Sequence, residues 1–210
     1  MEEIEVEIML PQMIDVPRIV EALAEHLQLK PETLGMTSTF DRMVDTEDLA
    51  LLSQEHSLRV RQKLENVYAG QEIRLTYKFP LRQHPRLFIR DEQKLKLHAP
   101  DYDKVLELLS GITTGVSGQP LHTVLHIHEL AREANLGPAG QRVNLSIDQC
   151  TYSLPEDESK NATEIVFEIE SHGASEETIL KAADWVIAEL GGREAAQSKY
   201  ARGLRLLGKL

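Results

Sequence analysis

The chain has little of several things. It holds one cysteine, Cys150, so no disulfide can close within it. That scarcity leaves the redox compartment open, with the cytoplasm as the default expectation. No apolar run approaches the roughly 20 residues of a helical membrane span, and the N-terminus starts with acids, so neither a span nor a signal peptide is indicated. Positive charge is also in deficit, with 23 Lys and Arg against 34 Asp and Glu, a net charge of −11. The excess argues against non-specific nucleic-acid binding and against attraction to anionic membrane, while leaving room for a local basic site. Low-complexity tracts are absent. Length allows one large domain or two small ones with a sizeable core. The expectation is a soluble, intracellular protein, and nothing decides between a monomer and a homodimer.

What is present is alternation. Glu2-Glu3-Ile4-Glu5-Val6-Glu7-Ile8 has the period of a β-strand, with Glu3, Glu5 and Glu7 on one face and Ile4, Val6 and Ile8 on the other. Three carboxylates then stand in a row, roughly 6 to 7 Å apart. Cations arrive in the same pattern later. Ser57-Leu58-Arg59-Val60-Arg61 puts Arg59 and Arg61 on one face, and Ile73 to Phe79 does the same with Arg74, Thr76 and Lys78, which suggests a hairpin. Leu87 to Leu97 carries Arg90, Glu92, Lys94 and Lys96 in alternation, Arg142 to Leu154 carries Asn144, Ser146 and Asp148, and Glu164 to Ser171 carries Glu164, Glu168 and Glu170 around Val166.

Between these strands, Asp15 and Pro17 signal a helix over residues 17 to 29 with Ile19, Val20, Leu23 and Leu27 on its apolar side. Met36 to Phe40 reads as a short strand, and Asp45 to Asp48 as turn and cap chemistry before a helical turn at Leu49 to Leu52. Tyr68 to Gly70 reads as a turn, Asp101 to Leu109 as a short helix and Ser110 to Pro120 as a loop. His122 to Glu133 divides, its first half alternating as a strand and its second having helix-forming composition. A turn at Gly137 to Gly140, a polar loop over 155 to 161, a helix capped by Ser175 and stopped at Gly191-Gly192, and a short terminal stretch from Ser198 complete the chain.

A single strand of alternating charge is ordinarily the solvated face of a sheet. Five with coordinated sign favour an enclosed space, and a sheet closed into a barrel would bring their charged faces together as one lumen. Cations there would hold an anion with several negative groups, and the carboxylates would bind hard divalent cations. Together they describe phosphoryl transfer by charge neutralisation. His126 and His128 have no third convergent soft ligand to make a metal site with them, and Cys150 has no local base to make it a nucleophile.

At these residues the sequence resembles the CYTH superfamily, the triphosphate tunnel metalloenzymes, over nearly its whole length. Glu3-Ile4-Glu5-Val6-Glu7 is similar to the opening E-x-E-x-K signature, with Glu7 in place of the lysine. Asp45-Thr46 through Leu58-Arg59-Val60-Arg61, Lys78, Arg90-Asp91-Glu92, Asp148, Glu164 to Glu170, and Ser198-Lys199-Tyr200-Ala201-Arg202-Gly203 resemble the segments that follow. The resemblance implies an α+β fold, an eight-stranded antiparallel β-barrel with flanking helices formed by a single domain over residues 1–210. It implies hydrolysis of inorganic tripolyphosphate or an organic triphosphate with Mg²⁺ or Mn²⁺. Cyclisation of ATP, as in class IV adenylyl cyclases, and polyphosphate binding without turnover are the alternatives. By carry-over, Arg59, Arg61, Lys78, Arg90 and Arg202 bind phosphates, Glu3, Glu5, Glu168 and Glu170 hold metal, and Lys199 and Glu168 are catalytic. The departures are Glu7, Asn144 where an acid is frequent, Val166 within the acid strand, and His126 or His128 where an arginine is common, which places a histidine in the lumen.

Overall fold

The computed structural model describes residues 2–64, 73–97 and 119–210. The elements run β1 (Glu2–Leu10), α1 (Val16–Leu27), β2 (Pro31–Asp45), α2 (Ala50–Ser53), β3 (Ser57–Lys63), β4 (Ile73–Pro80), β5 (Phe88–Leu97), β6 (His122–Leu136), β7 (Arg142–Leu154), β8 (Asp157–His172), α3 (Glu176–Leu190), β9 (Arg193–Glu194) and α4 (Lys199–Leu206). Strands β1 to β8 pair antiparallel in the circular order β1-β5-β4-β3-β2-β6-β7-β8, and β8 returns to β1. The sheet is therefore a closed eight-stranded barrel, with β9 an added pairing beside Ile8 and Met9.

Closure sorts each strand by the side-chain period of two. On β1 the aliphatic residues Val6, Ile8 and Leu10 face outward into a core covered by α1 and α3, together with Leu145, Ile147, Phe167 and Ile169 of β7 and β8. Helix α1 supplies Val20, Leu23 and Ala24 to that core, and α3 supplies Ile179, Ala182, Ala183 and Val186. A second cluster, Val44, Leu51, Leu58, Val60, Ile73 and Leu75, lies under α2. The opposite faces of the same strands, which carry the charged residues together with an apolar group at one end, turn inward.

The caps follow the sequence closely. Ser175 Oγ accepts the Thr178 N–H at the start of α3, and Gly191 ends that helix in the left-handed conformation (φ 66°). Asp15 precedes α1 without a side-chain cap bond, so the helix start rests on Pro17 in the first turn.

Three stretches differ from expectation. Met36 to Phe40 is the middle of a strand of 15 residues. His122–Leu136 is strand throughout, because β6 pairs with β2 on one side and β7 on the other along its length, and this pairing overrides the helix propensity of residues 129 to 133. The polar run 155 to 161 mostly joins β8, since pairing with β7 continues out to Asn161 opposite Ser153. The turn at Tyr68 to Gly70, the helix at Asp101 to Leu109 and most of the loop at Ser110 to Pro120 lie outside the described residues.

Candidate functional site

The lumen is closed at one end by α4. Tyr200 and Leu204 pack with Met43, Leu125, Ile127, Cys150, Tyr152 and Val166 to form an apolar plug inside the barrel. Gly203 is what lets the helix sit so deep, since a Cβ there would stand 2.5 Å from the Tyr152 ring. Ser198 Oγ accepts the Ala201 N–H and starts the helix, so Lys199 and Arg202, one turn apart, both enter the lumen. Tyr200 donates to Asp45 at 2.9 Å, while the same carboxylate accepts N–H groups of Thr46, Leu51 and Leu52. Asp45 thus joins α2 to α4 and acts as scaffold.

Above the plug the inward-facing charges pair across strands. Arg61 forms two 2.7 Å hydrogen bonds with Asp41 and a third, 3.0 Å long, with Glu129, while Arg59 lies 3.4 Å from Asp41. Lys78 reaches Glu3 at 2.5 Å and lies 3.7 Å from Glu92. Arg90 bridges Glu3, at 3.1 Å, and Glu5. Lys199 contacts Asp148, Glu129 at 2.9 Å and Glu168 at 2.7 Å. Arg202 contacts Glu7 at 2.5 Å and Glu164 at 2.8 Å, and Tyr152 donates to the same Glu164 oxygen.

These pairings set the protonation of the site. Burial pushes the Glu3 carboxyl up, but Lys78 and Arg90 outweigh it and bring the pKa down to about 2. Burial also dominates at Glu5, whose carboxyl stays well above the usual range despite Arg90, with the charge on Glu3 adding to the rise. Asp148 is likewise raised, by burial first and then by Glu129 and Glu168. Lys199 is stripped of water, which favours its neutral form, yet the acids around it hold the ammonium well above the ordinary lysine range. Glu168 is lowered, Lys199 offsetting its burial. Burial raises the Cys150 thiol well above its usual value, so it is packed and unreactive.

Among the described residues, two groups of side chains bring potential ligand atoms within 4.8 Å of one another, Glu5 with Glu7 and Glu168, and Glu129 with Asp148 and Cys150. In the second, Lys199 already lies between the two carboxylates. The first consists of carboxylates alone, which is the donor set that Mg²⁺ and Mn²⁺ prefer, and it lines the same cavity as Arg59, Lys78, Arg90 and Lys199. Among the described residues, Thr76 Oγ1, buried on that wall, has no hydrogen-bond partner, and neither has the Nε of Arg59.

No family model matches the sequence, and no curated relative does. Solved structures do match. A candidate adenylyl cyclase from Hippeastrum with a dominant triphosphatase activity aligns with a TM-score of 0.64 at 16% identity, covering 99% of this chain and 97% of that one. A Pyrococcus horikoshii OT3 protein aligns at 0.61 and 19% identity over 97% and 98% of the two chains. A candidate adenylate cyclase from Bacillus halodurans aligns at 0.53 and 17% identity, covering 96% and 97%. The chain has a CYTH-like fold. Identity this low carries the fold and stops there.

Within the CYTH-like barrel, Arg59, Arg61, Lys78, Arg90, Lys199 and Arg202 share one lumen with Glu3, Glu5 and Glu168. Glu170 also points inward, but it sits opposite Glu5 and Asn144, with its carboxylate 3.5 Å from His172 and outside the acid trio. Glu3 belongs to Lys78 and Arg90, not to the trio. Glu7, the misfit of the opening signature, occupies that place instead. His126 and His128 face away from the lumen, His126 beside Glu158 and the Phe40 ring and His128 beside Ser38, which removes the expected lumen histidine. Register explains it, because β6 turns Ile127 and Glu129 inward. Asp41 and Glu129, the partners of Arg61, escaped the sequence reading. Asp41 had a signal in Thr37, Thr39, Asp41 and Asp45, a polar face two residues in period interrupted by Met43, and Glu129 was obscured by its helix-forming neighbours.

Proposed function

We propose that the chain is a single-domain, divalent-metal-dependent hydrolase of triphosphate compounds acting inside the barrel. The observation that carries this reading is the convergence of cations from β3, β4, β5 and α4 on the cavity that also holds the Glu5, Glu7 and Glu168 carboxylates. Arg59, Arg61 and Lys78 would bind the phosphate chain, with Arg59 Nε and the Thr76 hydroxyl as donors already facing the space. Glu5, Glu7 and Glu168 would hold Mg²⁺ or Mn²⁺, which would supply neutralisation of the charge on the transferring phosphoryl group. Arg90 and Lys199 line the same space and would reach phosphate oxygens there. Water attacks the terminal phosphorus, the anhydride bond to the next phosphate breaks, and Lys199 stabilises the charge on the departing group. Glu168, held ionised by Lys199, accepts the proton of the attacking water. The neighbours described as triphosphatase or cyclase candidates support phosphoanhydride chemistry in this fold.

Phosphate release from tripolyphosphate and from nucleoside triphosphates, with Mg²⁺ or Mn²⁺ and then with excess chelator, tests the reading. Turnover that stops on chelation is expected. No turnover of any compound, together with anion binding that survives chelation, would replace the hydrolase with a binding protein, for which the buried Glu7–Arg202 pair is the favouring observation. Cyclic AMP formation from ATP would replace it with a cyclase.

A further inference from the structure

Glu7 and Glu168 stand directly opposite each other on β1 and β8. Like charges so placed repel, so each needs a cation, and α4 supplies both from residues one turn apart. Lys199 takes Glu168 at 2.7 Å and Arg202 takes Glu7 at 2.5 Å. The two cations differ in placement. Lys199 lines the lumen cavity together with Glu5, Glu7 and Glu168, whereas Arg202 and Glu164 are not part of its lining.

The Arg202 guanidinium is clamped. Its Nε donates to Glu164 Oε1 at 2.9 Å, and its Nη1 donates both to Glu7 Oε2 and to the Gln197 carbonyl oxygen, each at 2.5 Å. The same Glu164 oxygen accepts the Tyr152 hydroxyl at 2.5 Å, and the Tyr152 ring is packed in the apolar plug against Gly203. Glu7, Tyr152, Glu164 and Arg202 are all buried. A planar fork held at Nε and Nη1 cannot turn without breaking several charge-assisted bonds at once. Glu7 Oε2 is fixed by it, and with that oxygen the orientation of the carboxylate.

We propose that Arg202 is a positioning residue for the divalent cation, turning Glu7 toward Glu5 and Glu168 while Glu164 and Tyr152 hold the guanidinium in place. This rests on the metal reading of the acid trio and extends it to the group that orients one of the ligands. Arg202 then serves a carboxylate instead of the phosphate that the resemblance assigns to it. A carboxylate that ligates metal is itself hydrogen-bonded by an outer group that sets its direction, and Glu7 receives that bond from Arg202. Charge balance alone would need only a cation at this place. Lysine would supply that, but it has no fork with which to hold Glu7 and Glu164 in one plane.

The test is Mn²⁺ titration of the full chain by electron paramagnetic resonance, for the wild type, Glu7→Gln, Arg202→Lys, Glu164→Gln and Tyr200→Phe, with far-ultraviolet dichroism to show that each is folded. Arg202→Lys and Glu164→Gln are expected to weaken Mn²⁺ by about tenfold or more, the scale for a group that orients a metal's ligands, and Tyr200→Phe to stay within about twofold. Tyr200→Phe removes the bond from α4 to Asp45 and leaves the clamp intact. Glu164→Gln keeps the shape of the side chain and decides the matter where Arg202→Lys does not fold. If the wild type binds no Mn²⁺, or Glu7→Gln binds it as the wild type does, the metal reading of the trio fails and the positioning role falls with it. If Glu7→Gln is weakened while Arg202→Lys and Glu164→Gln keep the wild-type affinity, the positioning role alone is overturned. Equal weakening in Tyr200→Phe would assign the effect to the seating of α4 and overturn it as well.

Discussion

Replacing Lys199 by methionine keeps the length and apolar stem of the side chain and removes its charge. Glu129, Asp148 and Glu168 then lose the cation they share. Deleting one partner of a buried ion pair costs about 3–5 kcal/mol. One route of relief exists, because Asp148 is already raised and takes up a proton first, at about 1.4 kcal/mol for each pH unit above its pKa. The expected loss at pH 7 is therefore about 3 kcal/mol, and it shrinks as pH falls and protonation of Asp148 becomes easier. With an m value of about 2 kcal/mol/M, the urea midpoint drops by roughly 1.5 M. Lys199→Met/Asp148→Asn should recover much of the loss, since one fewer buried charge needs a partner. A single variant shifted by no more than the roughly 0.5 kcal/mol of a surface substitution would refute the argument. So would a double variant no better than the single.

Glu7→Gln should weaken Mn²⁺ binding in an electron paramagnetic resonance titration by at least the roughly 10- to 100-fold seen when a group that only orients a metal's ligands is removed, and unchanged affinity would take Glu7 out of the metal set. Gly203→Ala places a methyl 2.5 Å from the Tyr152 ring and 2.8 Å from Leu125, and thermal unfolding should register an overpacking loss of about 1–3 kcal/mol. Glu3, with its folded pKa lowered from 4.5 to about 2, contributes stability that is fully present above pH 4.5 and is lost as pH falls toward 2. The shift corresponds to about 3 kcal/mol, so the acid-unfolding curve of Glu3→Gln should be flatter than that of the wild type in this window.

Much of the barrel was legible because alternation survives in single sequences. Glu3, Glu5, Arg59 and Arg61 each lie on a strand whose other face is aliphatic, Lys78 lies on one whose other face is aliphatic and aromatic, and closure turns that contrast into inside and outside; the strand of Arg90 is less clean, since Asp91 and Gln93 share the face of Ile89. Lys199 and Arg202 were less legible, since Ser198-Lys199 alone reads as a helix start with an exposed lysine. Only the depth of α4, set by Gly203 against Tyr152, buries them. The β6 segment misled for a physical reason. Its propensity favours helix at residues 129 to 133, and only two flanking strands, unseen from within the segment, overrule it.

The Glu3–Arg90 pairing joins residues 87 apart, and Glu7–Arg202 joins residues 195 apart. Contacts so distant along the chain form late, because the loop-closure entropy they cost is met only once most of the sheet is in place. The acid trio and its cations are therefore expected to come together in the last events of folding. Refolding followed by Mn²⁺ binding should lag behind refolding followed by far-ultraviolet dichroism, and the interval between the two measures how long α4 takes to seat.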